Sequence, residues 1–131
     1  KFKAQHRRWR ASRFFYERAR KWEKRHGYTI SPLTLWGLWK RQRGRCALTG
    51  RMLDGRSPRG ASLDHIIARI NGGEGTADNL RWVCFEANRA KDTLTDAQLQ
   101  ALAREIVAYA SERNSLACGF DPMQHLAGVM A

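Results

Sequence analysis

The sequence predicts an α+β fold, mainly helical, arranged around a small strand–loop–strand–helix unit. Apolar residues recur at helical spacing over residues 2–26, 31–44 and 95–113. Two short runs, residues 61–67 and 80–84, read as strands, and the loop between them carries Gly72, Gly73 and Gly75. A chain of 131 residues is long enough for one domain with a modest core.

The first helix is expected to be long, basic and amphipathic. Trp9, Ser12, Tyr16 and Ala19 recur at helical spacing, with Phe15 and Trp22 a heptad apart, and Gly27 is a natural stop. The aromatic face is expected to point inward and the arginine face outward. Ser31-Pro32 starts a second helix, with an N-cap hydroxyl and Pro in the first turn. Leu35, Leu38 and Trp39 give it an apolar stripe, and Gly44 closes it. Residues 51–60, rich in Gly, Pro and Arg, form a loop. After the two strands a short helix covers residues 86–91. Thr95-Asp96-Ala97-Gln98 resembles a capping box and opens a last helix, with Leu99, Leu102, Ile106 and Tyr109 on one face. The expected segments are thus residues 1–30, a basic helical arm; 31–95, the central unit; and 96–131, a C-terminal helix and tail packing on it. Nothing in the sequence assigns residues 114–131 a role.

The formal charge is +12, and it is unevenly placed. Residues 1–60 hold 18 Lys and Arg against Glu17, Glu23 and Asp54, whereas residues 61–131 hold 6 against 9 acidic residues. Such a basic half calls for a polyanionic partner. An acidic lipid surface or plain solubility would also use it. Nucleic acid is favoured because Arg outnumbers Lys and aromatic residues are interleaved: Arg forks match phosphate geometry and rings stack on bases. Arg7, Arg10, Arg13 and Arg20 are the candidate contacts on the arm. Cys46, Cys84 and Cys118 do not form a disulfide framework and fit a reducing cytoplasm. No apolar run approaches bilayer length, so no membrane partner is expected.

Chemistry concentrates in Asp64-His65, Asn79 and Asn88. Hydrolysing a phosphodiester needs an activated water, charge stabilisation at phosphorus and relief for the leaving oxygen. A histidine titrating near neutrality suits the first task, and a divalent cation suits the other two. Mg²⁺ takes hard oxygen ligands and keeps several waters, so the Asp64 carboxylate and an Asn88 amide oxygen meet its demand. Neighbouring strand residues point to opposite faces, so Asp64 and His65 can share a site only at a bend or at the end of the strand. Each piece alone is ordinary: an Asp-His pair usually lies on a surface, Asn79 could be a turn residue and Asn88 a polar helix position.

In this order the residues resemble the HNH endonucleases, which have the ββα-metal fold. The matching stretches are residues 44–50 (GRCALTG), Leu63-Asp64-His65-Ile66, Gly72-Gly73, Asn79-Leu80-Arg81-Trp82-Val83-Cys84 and Asn88-Arg89-Ala90-Lys91, within residues 33–92. The pattern is similar to the cutting domain of CRISPR effector nucleases and to many phage enzymes. The resemblance implies a D-H…N…N variant. Asp64 and Asn88 would be metal ligands, Asn88 standing where the family often has its last histidine, and His65 the general base. Asn79 would hydrogen-bond across the hairpin loop to hold the histidine's backbone.

It further implies a hydrolase cutting DNA to 5′-phosphate and 3′-hydroxyl ends, with Mg²⁺ as cofactor and Mn²⁺ or another divalent metal able to replace it. A single site favours nicking, with low intrinsic sequence specificity. Arg69, Arg81, Arg89 and Lys91 lie close to the proposed site in sequence and are candidate phosphate contacts, Lys91 foremost because one helical turn separates it from Asn88. Many relatives carry two Cys-x-x-Cys pairs that bind structural Zn²⁺; here residues 46–49 and 84–87 hold one cysteine each. Structural zinc is therefore not expected, and Cys46 and Cys84 read as small buried hydrophobes. The alternatives are a nucleic-acid-binding module that does not cut, a ribonuclease, and an assembly role with a larger phage protein. Target sequence and oligomeric state are not legible.

Overall fold

Phe15, Ala19 and Trp22 are buried at i, i+4 and i+7 of helix α1 (Arg13–His26), so one stripe faces the protein interior. The computed structural model describes residues 13–55, 57 and 59–118. Arg7, Arg10, Trp9, the remainder of the helix expected over residues 2–12 and the tail 119–131 lie outside the described residues. Tyr16 corrects the expected inward face. It is 64% exposed, because one residue past Phe15 turns the side chain about 100° away from the buried stripe. Arg13, Arg20, Lys21 and Lys24 share the exposed side. Gly27 ends α1 with a left-handed φ of 76°, donating its N–H to the Glu23 carbonyl at 2.8 Å.

Helix α2 (Pro32–Arg41) starts as its sequence predicts, with Ser31 Oγ accepting from the Thr34 N–H at 3.0 Å. Leu35, Trp36, Leu38 and Trp39 are buried. The last turn runs out through Arg43 and Gly44, both left-handed, and the Gly44 N–H reaches back to the Trp39 carbonyl at 3.0 Å.

Strands β1 (Ser62–His65) and β2 (Leu80–Val83) form a two-stranded antiparallel sheet, shorter than the runs that predict it. Beyond His65 the chain turns away once the Ile66 N–H has bonded the Asn79 carbonyl. Beyond Val83, Cys84 is already the N-cap of helix α3 (Phe85–Lys91). The register pairs Leu63 with Trp82, Asp64 with Arg81 and His65 with Leu80. The outer edge of β2 is closed by a side chain. The Gln42 amide accepts from the Trp82 N–H at 2.8 Å and donates to the Trp82 carbonyl at 2.7 Å.

The core is aromatic. Trp82 is fully buried, donates Nε1–H to the Leu35 carbonyl at 2.9 Å and stacks on Phe14 with centroids 5.5 Å apart. Phe15 and Trp39 meet it edge-on. Cys46 and Cys84 are buried beside this cluster. Cys46 Sγ accepts N–H bonds from Cys84 (3.2 Å) and Thr49 (3.4 Å). Burial would raise its pKa, but the hydrogen bonds from Thr49, Cys84 and Leu48 outweigh this and lower it.

The chain divides into two compact units, Lys1–Thr95 and Asp96–Ala131. Helix α4 (Asp96–Cys118) belongs to the second and runs past the predicted end at residue 113. Leu102, Ile106 and Tyr109 are exposed on it. No helix among the described residues is long and apolar enough to cross a membrane.

Phe15 ties α1 to both α2 and β2, so Phe15→Ala is expected to cost about 3–5 kcal/mol. The loss should appear as a lower urea midpoint; an unchanged midpoint would show that α1 is dispensable to the core.

Candidate functional site

The short sheet sends its two faces in different directions. Leu63, His65, Leu80 and Trp82 share one face by register, and Asp64 and Arg81 share the other. His65 is the last residue of β1, and there the two faces come together: Asp64 and His65 both border one open cleft of about 590 Å³. Asn88, on α3, borders it as well. The structure thus gathers Asp64, His65 and Asn88 around one space.

Asp64 is buried, and its charge is already answered. Oδ2 accepts from Arg81 Nε at 3.0 Å, and both oxygens accept from Lys91 Nζ at 3.1 Å. Lys91 also donates to the His65 carbonyl at 2.7 Å. This corrects the expectation for Lys91. Its side chain is fully buried, so the ammonium is a clamp between α3 and β1 and has no surface with which to meet a phosphate. A methylene stem long enough to cross from α3 to the strand put the charge inside rather than in the cleft.

Asn79 braces the loop, though two residues along from the place expected. Its Oδ1 accepts from the Ile67 N–H at 2.9 Å, and Nδ2 donates to the carbonyls of Ile67 (3.0 Å) and Glu74 (2.8 Å). The backbone it holds is that of Ile67. The carbonyl of His65 is held by Lys91 instead. Gly73 is required by the same closure, since a Cβ there would lie 1.7 Å from the Ile67 carbonyl oxygen.

The His65 ring sits among aromatic groups that sequence reasoning did not assign to the site. Nε2 lies 2.6 Å from Tyr28 Oη. The rings of Trp22 and His26 have centroids 4.8 Å and 5.1 Å from it. Burial lowers the pKa of His65 from 6.5, and His26, Arg69 and Lys91 lower it further, against the raising effect of Asp64. His26 is lowered too, by burial first and then by Arg25 and Arg69. The inward-facing i, i+7 pair Phe15 and Trp22 was legible. That Trp22 would form a wall of the cleft was not.

Arg25, Arg69 and Arg89 border the cleft, with Asp92 the acidic residue there besides Asp64 among the described residues. Arg69 and Arg89 make no ion pair among the described residues. Aromatic faces prop them: the Arg69 guanidinium lies 5.2 Å from the centroid of Tyr28, and that of Arg89 5.6 Å from Phe85. Arg59, from the loop before β1, lies over the same Phe85 ring at 5.5 Å and is a third such cation that the sequence did not single out. Arg13 pairs with Glu17 at 2.6 Å on the exposed side of α1, and Arg20 borders a shallow basic hollow with Lys21 and Lys24.

Asp64 and Asn88 are oxygen-bearing side chains that could hold a metal at this cleft. The Asn88 side chain makes no hydrogen bond among the described residues, and Asp64 Oδ1 accepts a single one. A carboxylate and an amide oxygen are hard ligands of the kind Mg²⁺ takes with waters completing its shell. The donor types therefore fit. The carboxylate is already engaged by both Arg81 and Lys91, so a metal would have to share it with them.

Comparison of the chain with models of known protein families and with curated proteins finds no match.

Two outcomes follow from the buried groups. Lys91→Ala leaves Asp64 short of its main partner and should lower stability by about 3–5 kcal/mol, read by urea denaturation. His26 has a pKa below its ordinary value in the folded state, so it contributes stability that is present above about pH 6.5 and lost as pH falls below it. His26→Phe keeps a ring on Trp22 and removes the titration. Its urea midpoint should drop less than wild type between about pH 7.5 and about pH 5.5; an equal drop would assign the acid sensitivity elsewhere.

Proposed function

We propose that the chain is a metal-dependent endonuclease of the HNH type that hydrolyses phosphodiester bonds in DNA. The observation that carries the reading is the meeting of Asp64, His65 and Asn88 at one cleft whose arginines, Arg69 and Arg89, have no acidic partner among the described residues. A base, two hard oxygen donors and unneutralised guanidinium groups are the parts that phosphodiester hydrolysis requires.

In this reading His65 removes the proton from the attacking water. Its lowered pKa keeps the imidazole neutral, and so able to accept, at neutral pH. Arg69 and Arg89 bind non-bridging oxygens of the phosphate, and their aromatic supports fix where the guanidinium planes lie. Asp64 and Asn88 would hold one divalent metal, for which Mg²⁺ is the natural candidate. When bound, it supplies Lewis-acid stabilisation of charge on the phosphate and on the leaving oxygen. Arg81 and Lys91 act indirectly by fixing the Asp64 carboxylate. Asn79 keeps the loop after His65 closed. Exposed Arg13 and Arg20 on α1 supply phosphate contacts that carry affinity and little sequence information, so specificity is low.

The test is a parallel digestion of duplex DNA, single-stranded DNA and RNA with Mg²⁺ and with EDTA. Cutting of DNA that stops with EDTA is the expected result. His65→Ala should cut more slowly by about 10²–10⁴-fold while binding DNA as wild type does. Preferred cutting of RNA would replace the substrate, and equal cutting by His65→Ala would remove the base. Binding of DNA with no cutting under any metal would make the chain a binding module.

A further inference from the structure

We propose that Tyr28 is the positioning residue for His65: its phenolic oxygen accepts the imidazole Nε2–H and so leaves the Nδ1 lone pair for the water that is cleaved. This deepens the nuclease reading and rests on it.

The two groups lie 37 residues apart in sequence and 2.6 Å apart in space. A hydroxyl can either donate to Nε2 or accept from it, so the contact permits two tautomers. If Tyr28 donates, the ring proton sits on Nδ1 and neither nitrogen keeps a free lone pair. If Tyr28 accepts, Nδ1 is free, and it has no hydrogen-bond partner among the described residues. Only the second arrangement makes His65 a base. After it takes the proton from water at Nδ1, the imidazolium still donates Nε2–H to Tyr28. The phenol keeps its own proton throughout. The new oxygen–phosphorus bond forms as the bond to the 3′ oxygen breaks.

The placement of Tyr28 does not depend on His65. The left-handed turn at Gly27 delivers it directly after α1. The Arg69 guanidinium lies 5.2 Å from its ring centroid. The loop before β2 closes on it at Gly75, where a Cβ would fall 2.8 Å from the ring carbons Cε1 and Cζ. Trp22 and His26 crowd the imidazole itself. Packing therefore limits the tilt of His65, and the bond to Tyr28 decides its tautomer and which edge meets the cleft. A phenol anchored by packing can serve as a fixed acceptor for the imidazole Nε2–H, in the way that a carboxylate or carbonyl orients a catalytic imidazole elsewhere.

The experiment is ¹⁵N NMR of the His65 ring in the full chain, in wild type and Tyr28→Phe, together with steady-state cleavage of DNA. Wild type should show the Nε2–H tautomer and Tyr28→Phe a mixture. For Tyr28→Phe kcat should fall roughly tenfold or more, a fraction of the ~10²–10⁴ available to a general base, with KM changed by less than about twofold. Gly75→Ala, which displaces the ring without altering its chemistry, should shift the tautomer in the same direction and serves if Tyr28→Phe does not fold. An Nδ1–H tautomer in wild type, or an unchanged tautomer in both variants, overturns the proposal. If wild type cuts no nucleic acid, the nuclease reading fails by itself, while the NMR result still decides whether Tyr28 sets the imidazole.

Discussion

A lysine with no exposed surface must find acceptors for its ammonium protons inside the protein, and Lys91 finds both oxygens of Asp64 and the carbonyl of His65. That requirement joins the last turn of α3 to the end of β1. It fixes the carboxylate through the side chain and the histidine through the backbone, with one group. Breaking such an arrangement from either end leaves a buried charge without its counterpart, which costs more than the intact pair gains. The geometry of the candidate site is therefore inherited from a structural contact that lies behind it.

The aromatic core carries the other half of the support. Trp82 anchors β2 by its indole and, through its backbone, to Gln42. Phe14 and Phe15 bring α1 against the same tryptophan, and two turns further on α1 presents Trp22 and His26 to His65. One helix thus contributes to the core at one end and to the wall of the cleft at the other. Burial of imidazoles beside these rings, and the arginines around them, is what lowers the His65 and His26 pKa values.

Periodicity and turn residues made the elements legible. Ser31-Pro32, Gly27 and the glycine loop mark boundaries that the backbone respects, because caps and left-handed turns are local chemistry. The grouping of Asp64, His65 and Asn88 was legible from their order along a strand–loop–strand–helix unit. What could not be read was long-range side-chain choice. Nothing local says whether Lys91 extends into solvent or crosses to a strand, or that Tyr28 reaches across 37 residues to an imidazole. Tyr16 went astray for a geometric reason: neighbouring helix positions differ by about 100°, and a basic amphipathic segment offers two overlapping aromatic stripes.

The sheet that holds this site has only four residue pairs, and one of them places Asp64 opposite Arg81. A strand displaced by a single residue would turn Asp64 toward the tryptophans and His65 toward Lys91, because side chains alternate with period two. Charge would then meet rings, and the ammonium would lose its carboxylate. The same register that builds the cleft thus acts as a proofreading step on folding: a chain that has settled with its charges satisfied has, by that fact, also put its imidazole where the cleft opens.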